Sequence, residues 1–308
     1  MCNREEGKST IMRNSLIQLI DNTIILNYEL PNNSLKIPKT KFSAQKDFCF
    51  SSLNDTNISE IIYNAIVDYS FNDFDIDEKK LDNLFARALQ TRIRYNESAT
   101  SKSKLSYGFY GEVLLYVLLI QKFSNIKAIS RGYFFDPMSK SETKGYDCYH
   151  LIDSDIGPEL WFGETKFYKT FKAAIDSVFS NIEKAISDDY FSKSIIAMEN
   201  QKNNLNVCGS IIEQILNNWE NDPKIIIVDE IKKYNAKLVY PVLITANIEK
   251  EGYDTTIRKA IEYINSLNVD FSKITFSFSI FFILLPVNDE IIIKQKVIEW
   301  IESAKQVI

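Results

Sequence analysis

Apolar positions change rhythm several times along this chain. From Val113 to Ile120 the positions are continuously apolar. That pattern predicts a helix over Tyr107–Phe123, buried on every side, with Ser106 as its N-cap. Ala128–Phe135 reads as a strand. Gly145–Ile152 and Glu159–Tyr168 read as two more, joined by the turn-rich Asp153–Pro158. Beyond them Phe171, Ile175, Val178, Phe179, Ile182 and Ile186 form one stripe at helical spacing.

Upstream, a strand is predicted at Thr23–Leu30, followed by a polar stretch containing Pro31 and Pro38. Helices are expected at Ile58–Tyr69 and Glu78–Ile93, and Asn96–Lys104 reads as a linker or exposed loop. Downstream, residues 188–222 look like a helical insertion. Strands follow at Ile225–Val228, Leu238–Ile248 and Ile274–Val287, with a helix at Thr256–Leu267. Alternating strands and helices predict an α/β fold. The expected division is an N-terminal α/β region over 1–100 and a second domain over 101–308 that carries the insertion.

Composition narrows the chemistry more than the fold. With 45 % hydrophobic and 25 % charged residues, the 308-residue chain can bury a core. Its first ten residues, MCNREEGKST, offer no apolar run for a signal peptide. The longest apolar stretches, Val113–Ile120 and Ile280–Val287, fall short of the ~20 residues that span a bilayer. A soluble, cytoplasmic bacterial protein with no membrane partner is expected. Its four cysteines form no CxxC pair, which disfavours zinc ribbons and disulfide frameworks. His150 is the only histidine. Histidine-dependent triads, HExxH proteases and sites built on paired histidines are thereby excluded. Net charge is −5, which disfavours a general nucleic-acid coat. Residues 101–175, however, carry ten Lys/Arg against eight Asp/Glu, permissive of phosphate binding.

Carboxylates, lysine and a hard metal remain. Glu164 and Lys166 are two apart on a predicted strand, so their side chains leave one face. If residue 152 pairs with 159, Asp147 lies opposite Glu164, with Cβ atoms roughly 5 Å apart. A slip of one residue would turn Asp147 to the other face. Two carboxylates this close repel unless a cation or proton lies between them. Mg²⁺ or Mn²⁺ suits oxygen ligands, activates water and polarises a phosphodiester. Lys166 adds a point charge for the attacking oxygen or the phosphate. Glu112 either faces solvent at its helix start or turns inward as a further metal ligand.

A helix with Glu, a strand, a strand with Asp, a strand carrying E-x-K and then a helix is an order that resembles the PD-(D/E)xK nuclease core. Here it reads YGE (Glu112), GYD (Asp147) and GETK (Glu164, Lys166). The resemblance implies a restriction-endonuclease-like mixed sheet flanked by helices, with an N-terminal extension. It also implies a magnesium-dependent deoxyribonuclease in which Asp147, Glu164, Lys166 and Glu112 are catalytic and the three acids bind metal. More closely, YGFYGEVLLYVLL, GYDCYHL and ELWFGETKFYKTF, within about 105–290, resemble the HamA nuclease subunits of the Hachiman antiphage defence system. That likeness implies a defence effector acting on DNA with a HamB-like helicase partner. Residues 1–100 and the insertion are the candidate partner contacts.

Plainer readings exist for each feature. The hairpin acids and lysine could form a solvated, salt-bridged face, and the whole chain could be an inactive nuclease-fold adaptor or binding subunit. His150 and Cys148 should face away from Asp147, His150 as a packed or surface residue and Cys148 in the core. Lys169 and Lys172 could grip phosphate or simply begin an exposed helix; Arg131, Lys140 and Lys144 are equally open. Gly7–Thr10 reads GKST, but Cys2 stands where a P-loop needs glycine. Without a P-loop, Ile225–Glu230 (IIIVDE) reads as a buried strand ending in charges, so any motor must belong to a partner.

Overall fold

Along the two central strands, alternate side chains feed two separate cores. Val239, Leu243, Phe281, Ile283 and Leu285 pack on one face, and Leu238, Tyr240, Val242, Phe282 and Leu284 on the other. A strand with both faces apolar must be covered on both sides. The computed structural model describes residues 12–71, 76–93, 95–123, 127–130, 135–136, 141–142, 145–152, 157–199 and 207–305.

Nine strands are assigned among these residues: β1 (Ile24–Leu30), β2 (Asp47–Ser52), β3 (Lys127–Ser130), β4 (Phe135–Asp136), β5 (Ser141–Glu142), β6 (Cys148–Ile152), β7 (Glu159–Phe167), β8 (Lys237–Asn247) and β9 (Phe278–Val287). Seven form one sheet in the order β1-β2-β9-β8-β7-β6-β3, and β4 pairs with β5 apart from it. The centre, β2-β9-β8-β7, is parallel, while β1, β6 and β3 run antiparallel to their neighbours. One face carries α1 (Asn14–Thr23), α2 (Asp55–Ser70), α3 (Leu81–Thr91), α5 (Phe109–Lys122) and α12 (Glu290–Lys305). The short α4 (Ser101–Leu105) precedes α5. The other face carries α6 (Phe171–Phe179), α7 (Ile182–Ala185), α8 (Asp188–Glu199), α9 (Ile211–Asn221), α10 (Ile227–Lys233) and α11 (Tyr253–Ser266). This is the expected mixed sheet flanked by helices.

Residues 1–100 contribute β1 and β2 to this same sheet. Their helices share one core with α5 and α12. Arg13 anchors α1 to α2 by an ion pair with the buried Asp68, its Nη2 2.7 Å from Asp68 Oδ2. Between 188 and 222 the described residues include the helices α8 and α9.

Several expectations need correction. Ile225–Val228 is not a strand: α10 begins at Ile227 and buries Ile227, Val228 and Ile231. A short apolar run has no period of its own, and Asp229 and Glu230 in the first turn favour a helix start. Ser106 does not cap α5. It ends α4, and Gly108 precedes α5 without a side-chain cap. Asn96–Lys104 is not wholly loop, because α4 starts at Ser101 and Lys104 is buried against Glu302, 2.5 Å away. The stripe from Phe171 to Ile186 is broken at Ser180–Asn181 into α6 and α7. Helices α1 and α12 and strand β2 were not anticipated. Cys49 and Cys148 are free and buried. Cys208 is disulfide-bonded, which the wide spacing of the cysteines gives no reason to expect. Arg131, Lys140, Lys144 and the GKST segment lie outside the described residues. Among the described residues, no helix is long and apolar enough to cross a membrane.

One close approach sets up the site. Pro241 in β8 has no amide hydrogen for the ladder, and the β7–β8 pairing is interrupted between Trp161 and Glu164. Gly163 fills that gap, and a Cβ there would lie 2.3 Å from the Pro241 carbonyl oxygen. Gly163→Ala must push two central strands apart, an overpacking cost of roughly 1–3 kcal/mol. We expect its melting temperature to fall by several degrees, measured by circular dichroism. A wild-type melting curve would mean the strands do not approach this closely.

Candidate active site

The β6–β7 hairpin adopts the expected register, from Ile152 opposite Glu159 to Cys148 opposite Gly163. One step further, the Asp147 amide donates to the Gly163 carbonyl at 2.9 Å. The Thr165 amide donates in return to Asp147 Oδ2 at 2.8 Å. Asp147 is therefore bonded on both sides of Glu164. The chain leading to it is tied down by tyrosines. Tyr190 donates to the Gly145 carbonyl at 2.9 Å, and Tyr146 to the Ala185 carbonyl at 2.7 Å. Tyr149 Oη accepts from the Tyr146 amide at 2.9 Å. Gly145 is needed beneath it, since a Cβ would stand 2.3 Å from that same oxygen.

Glu164 and Lys166 leave β7 together near its carboxyl end, the end at which open α/β sheets present their sites. Their side chains form an ion pair, each 19 % exposed. Burial alone would lower the Lys166 pKa, but Glu164 and Asp147 more than offset it, and its ammonium is held above the usual lysine value. For Asp147, burial comes first and the charges of Glu164 and Glu112 second; together they push its carboxyl well above the usual carboxylate range. Lys166 and the Thr165 amide oppose that rise without cancelling it.

Glu112 turns inward. It sits in the first turn of α5, 9 % exposed, and its Oε2 accepts from the buried Tyr69 hydroxyl at 2.9 Å. Its Oε1 folds back over Gly108, where a Cβ would meet it at 2.8 Å. A carboxylate over its own helix N-terminus is favoured by the helix dipole. Gly111 lets α5 settle onto β7, since a Cβ there would lie 2.7 Å from Thr165 Oγ1.

These elements form a cavity of about 500 Å³ lined by Glu112, Asp147, Thr165 and Lys166 together with Ser103, Ser106, Tyr107 and Gly108. Glu164 is not part of that lining and reaches the cavity through its ion pair with Lys166. Every acidic donor offered here is a carboxylate oxygen, a set that suits Mg²⁺ or Mn²⁺ in kind. Among the described residues, no three His, Cys, Asp or Glu side chains stand grouped as a ready-made metal cage. His150 and Cys148 do face away from Asp147, buried on the α5 side of the sheet. Lys172 is spoken for by Asp176 at 2.9 Å and the Tyr263 hydroxyl at 3.0 Å, whereas Lys169 lines a second cavity next door.

Tyr69 had no signal in the sequence. It lies 43 residues before Glu112, on a helix that reads as ordinary amphipathic packing. A hydrogen bond to a charged group contributes about 1.5–3 kcal/mol. Tyr69→Phe is expected to lower stability by that order, and to do so less in a Glu112→Gln background, as measured by denaturant unfolding of the four-member cycle. Equal losses in both backgrounds would show that the hydroxyl and the carboxylate are not coupled.

A search among curated proteins finds no match. The family model HamA matches residues 19–303, nearly the whole chain and both sides of the cavity. The chain belongs to the HamA family, a component of the Hachiman antiphage defence system.

Proposed function

We propose that this protein is a metal-dependent nuclease that cleaves DNA phosphodiester bonds at the Asp147–Glu164–Lys166 site, working with a HamB-like helicase. The observation that carries this reading is the convergence of Glu112, Asp147 and Lys166 on one cavity, with Glu164 held against Lys166. Clustered carboxylates with a raised Asp147 are costly to fold unless a cation or proton neutralises them. Asp147 and Glu164, with Glu112 as a third donor, would hold Mg²⁺ or Mn²⁺. A bound divalent ion supplies Lewis acidity toward a phosphodiester and lowers the pKa of water.

The chain's own residues then have separate tasks. The Thr165 amide fixes the Asp147 carboxylate and so its direction into the cavity. Glu164 would be a ligand of the cation when one is bound. Lys166, beside it on the same face, would present its ammonium to the negative charge that builds on the attacking oxygen and the phosphate. The chain offers no P-loop, so duplex opening falls to the helicase. Residues 1–100 and the 188–222 insertion are the proposed contact regions. Because α2 carries Tyr69, a partner pressing on the N-terminal helices has a short route to Glu112.

Glu164→Ala should abolish DNA cleavage while leaving the melting profile near wild type, because Glu164 is a partly exposed residue outside both cores. Normal cleavage by that variant would remove the site assignment. Lys166→Ala should retain metal affinity by calorimetry, since it deletes a charge that repels the cation, yet cleave on the order of 10²–10³ more slowly. Lys166→Arg should restore only part of that loss, its planar guanidinium placing charge differently. Loss of metal and activity together in Lys166→Ala would make Lys166 a structural support.

A further inference from the structure

Beside the carboxylate cavity lies a second one of about 370 Å³, which shares Ser106, Tyr107, Gly108, Thr165 and Lys166 with it. The charges of the two are opposite. Glu112 and Asp147 face the first against Lys166, whereas Lys166, Lys169 and Lys294 face the second against Glu290. Lysine is rarely buried without a charged partner, yet Lys294 is only 8 % exposed. Its Nζ donates to the Phe167 carbonyl at 2.8 Å and lies 4.7 Å from the centre of that ring. Among the described residues this carbonyl is its one hydrogen-bond acceptor, which leaves two of three ammonium donors unused.

Glu290, one turn earlier on α12, does not satisfy them. Its amide is bonded to Asn247 Oδ1 at 2.8 Å, but its Oε2 is buried with no hydrogen-bond partner among the described residues. Thr165 Oγ1, on the wall common to both cavities, is likewise buried without one. A buried ammonium with donors to spare and the unpartnered Thr165 hydroxyl, which can also donate, mark a cavity able to take an anion, with Glu290 the one acidic group opposing it. Burial depresses the Lys294 pKa, with Glu290 opposing, so an entering anion would find a cation that gains by pairing.

We infer that this second cavity binds the DNA phosphate next to the one being cleaved, with Lys294 as its buried anchor and Lys169 as its rim contact. Resting on the nuclease reading, the assignment gives the strand a path. One phosphate sits over the carboxylates, the next enters the basic cavity, and Lys166 stands between them. Lys294 also ties α12 to the last residue of the E-x-K strand, so the DNA strand's register on the protein and the placing of Lys166 share one contact.

The test is binding of a short fluorescein-labelled DNA duplex by anisotropy, in Ca²⁺ to prevent turnover, across a salt series. Removing one phosphate contact reduces the slope of log K against log salt by about one, which at ~0.1 M salt is roughly eightfold in affinity. Lys294→Met, which keeps the apolar stem, and Lys169→Met, an exposed position that cannot endanger folding, should each show that reduced slope. Wild-type slopes in both variants, with wild-type protein that binds and cleaves DNA, would overturn this inference alone. A wild-type protein that neither binds nor cleaves DNA in the same assays would overturn the nuclease reading, and this inference with it.

Discussion

Two hydrogen bonds from backbone amides, Asp147 to the Gly163 carbonyl and Thr165 back to the Asp147 carboxylate, hold the candidate site together. They form only in one register of the β6–β7 hairpin. A slip of one residue would carry Asp147 to the opposite face, where Cys148 and His150 now pack. The register is defended from several directions. Tyr146, Tyr149 and Tyr190 pin the approach to Asp147, and Gly145, with no Cβ, leaves room for the Tyr149 hydroxyl. Gly163 and Pro241 accommodate one another across β7 and β8, just before Glu164. Small and aromatic residues around this hairpin thus serve the placing of two carboxylates and a lysine.

The same geometry carries an electrostatic burden. Burial, Glu164 and Glu112 all act to raise Asp147, and the ion pair of Lys166 with Glu164 relieves only part of it. A folded protein tolerates such a cluster when a ligand or cation stabilises it in use. Two adjoining cavities of opposite charge, joined at Lys166, suit a polyanion that must meet cation and lysine together. That arrangement argues against a merely solvated hairpin face, because Glu112 and Lys294 are buried and Asp147 is bonded at both ends.

Much of this was legible in the sequence because it is local. Parity places Glu164 and Lys166 on one face, and a symmetric turn puts Asp147 beside them. The order of elements around YGE, GYD and GETK supplied the rest. What could not be read depends on contacts far apart in the chain. Tyr69 meets Glu112 across 43 residues, and Lys294 reaches the carbonyl of Phe167 across 127. Helix α12 carries Ile293, Val297 and Ile301 at helical spacing, but the longer apolar run of β9 just before it dominates the pattern. The run Ile225–Val228 misleads for the opposite reason: four apolar residues fit a strand or a buried helix turn, and only packing chooses. The first hundred residues, read as a separate region, complete the sheet's edge and one of its two cores.

The central claim is that this cavity works by holding a divalent cation against a phosphodiester. The most direct measurement is single-turnover cleavage of end-labelled DNA by the purified chain, alone and with its helicase, in EDTA and after Mg²⁺ or Mn²⁺ is restored. The account predicts no cleavage in chelator and its full return with either ion. Cleavage that persists in EDTA, or its absence under every metal and partner condition, would contradict it.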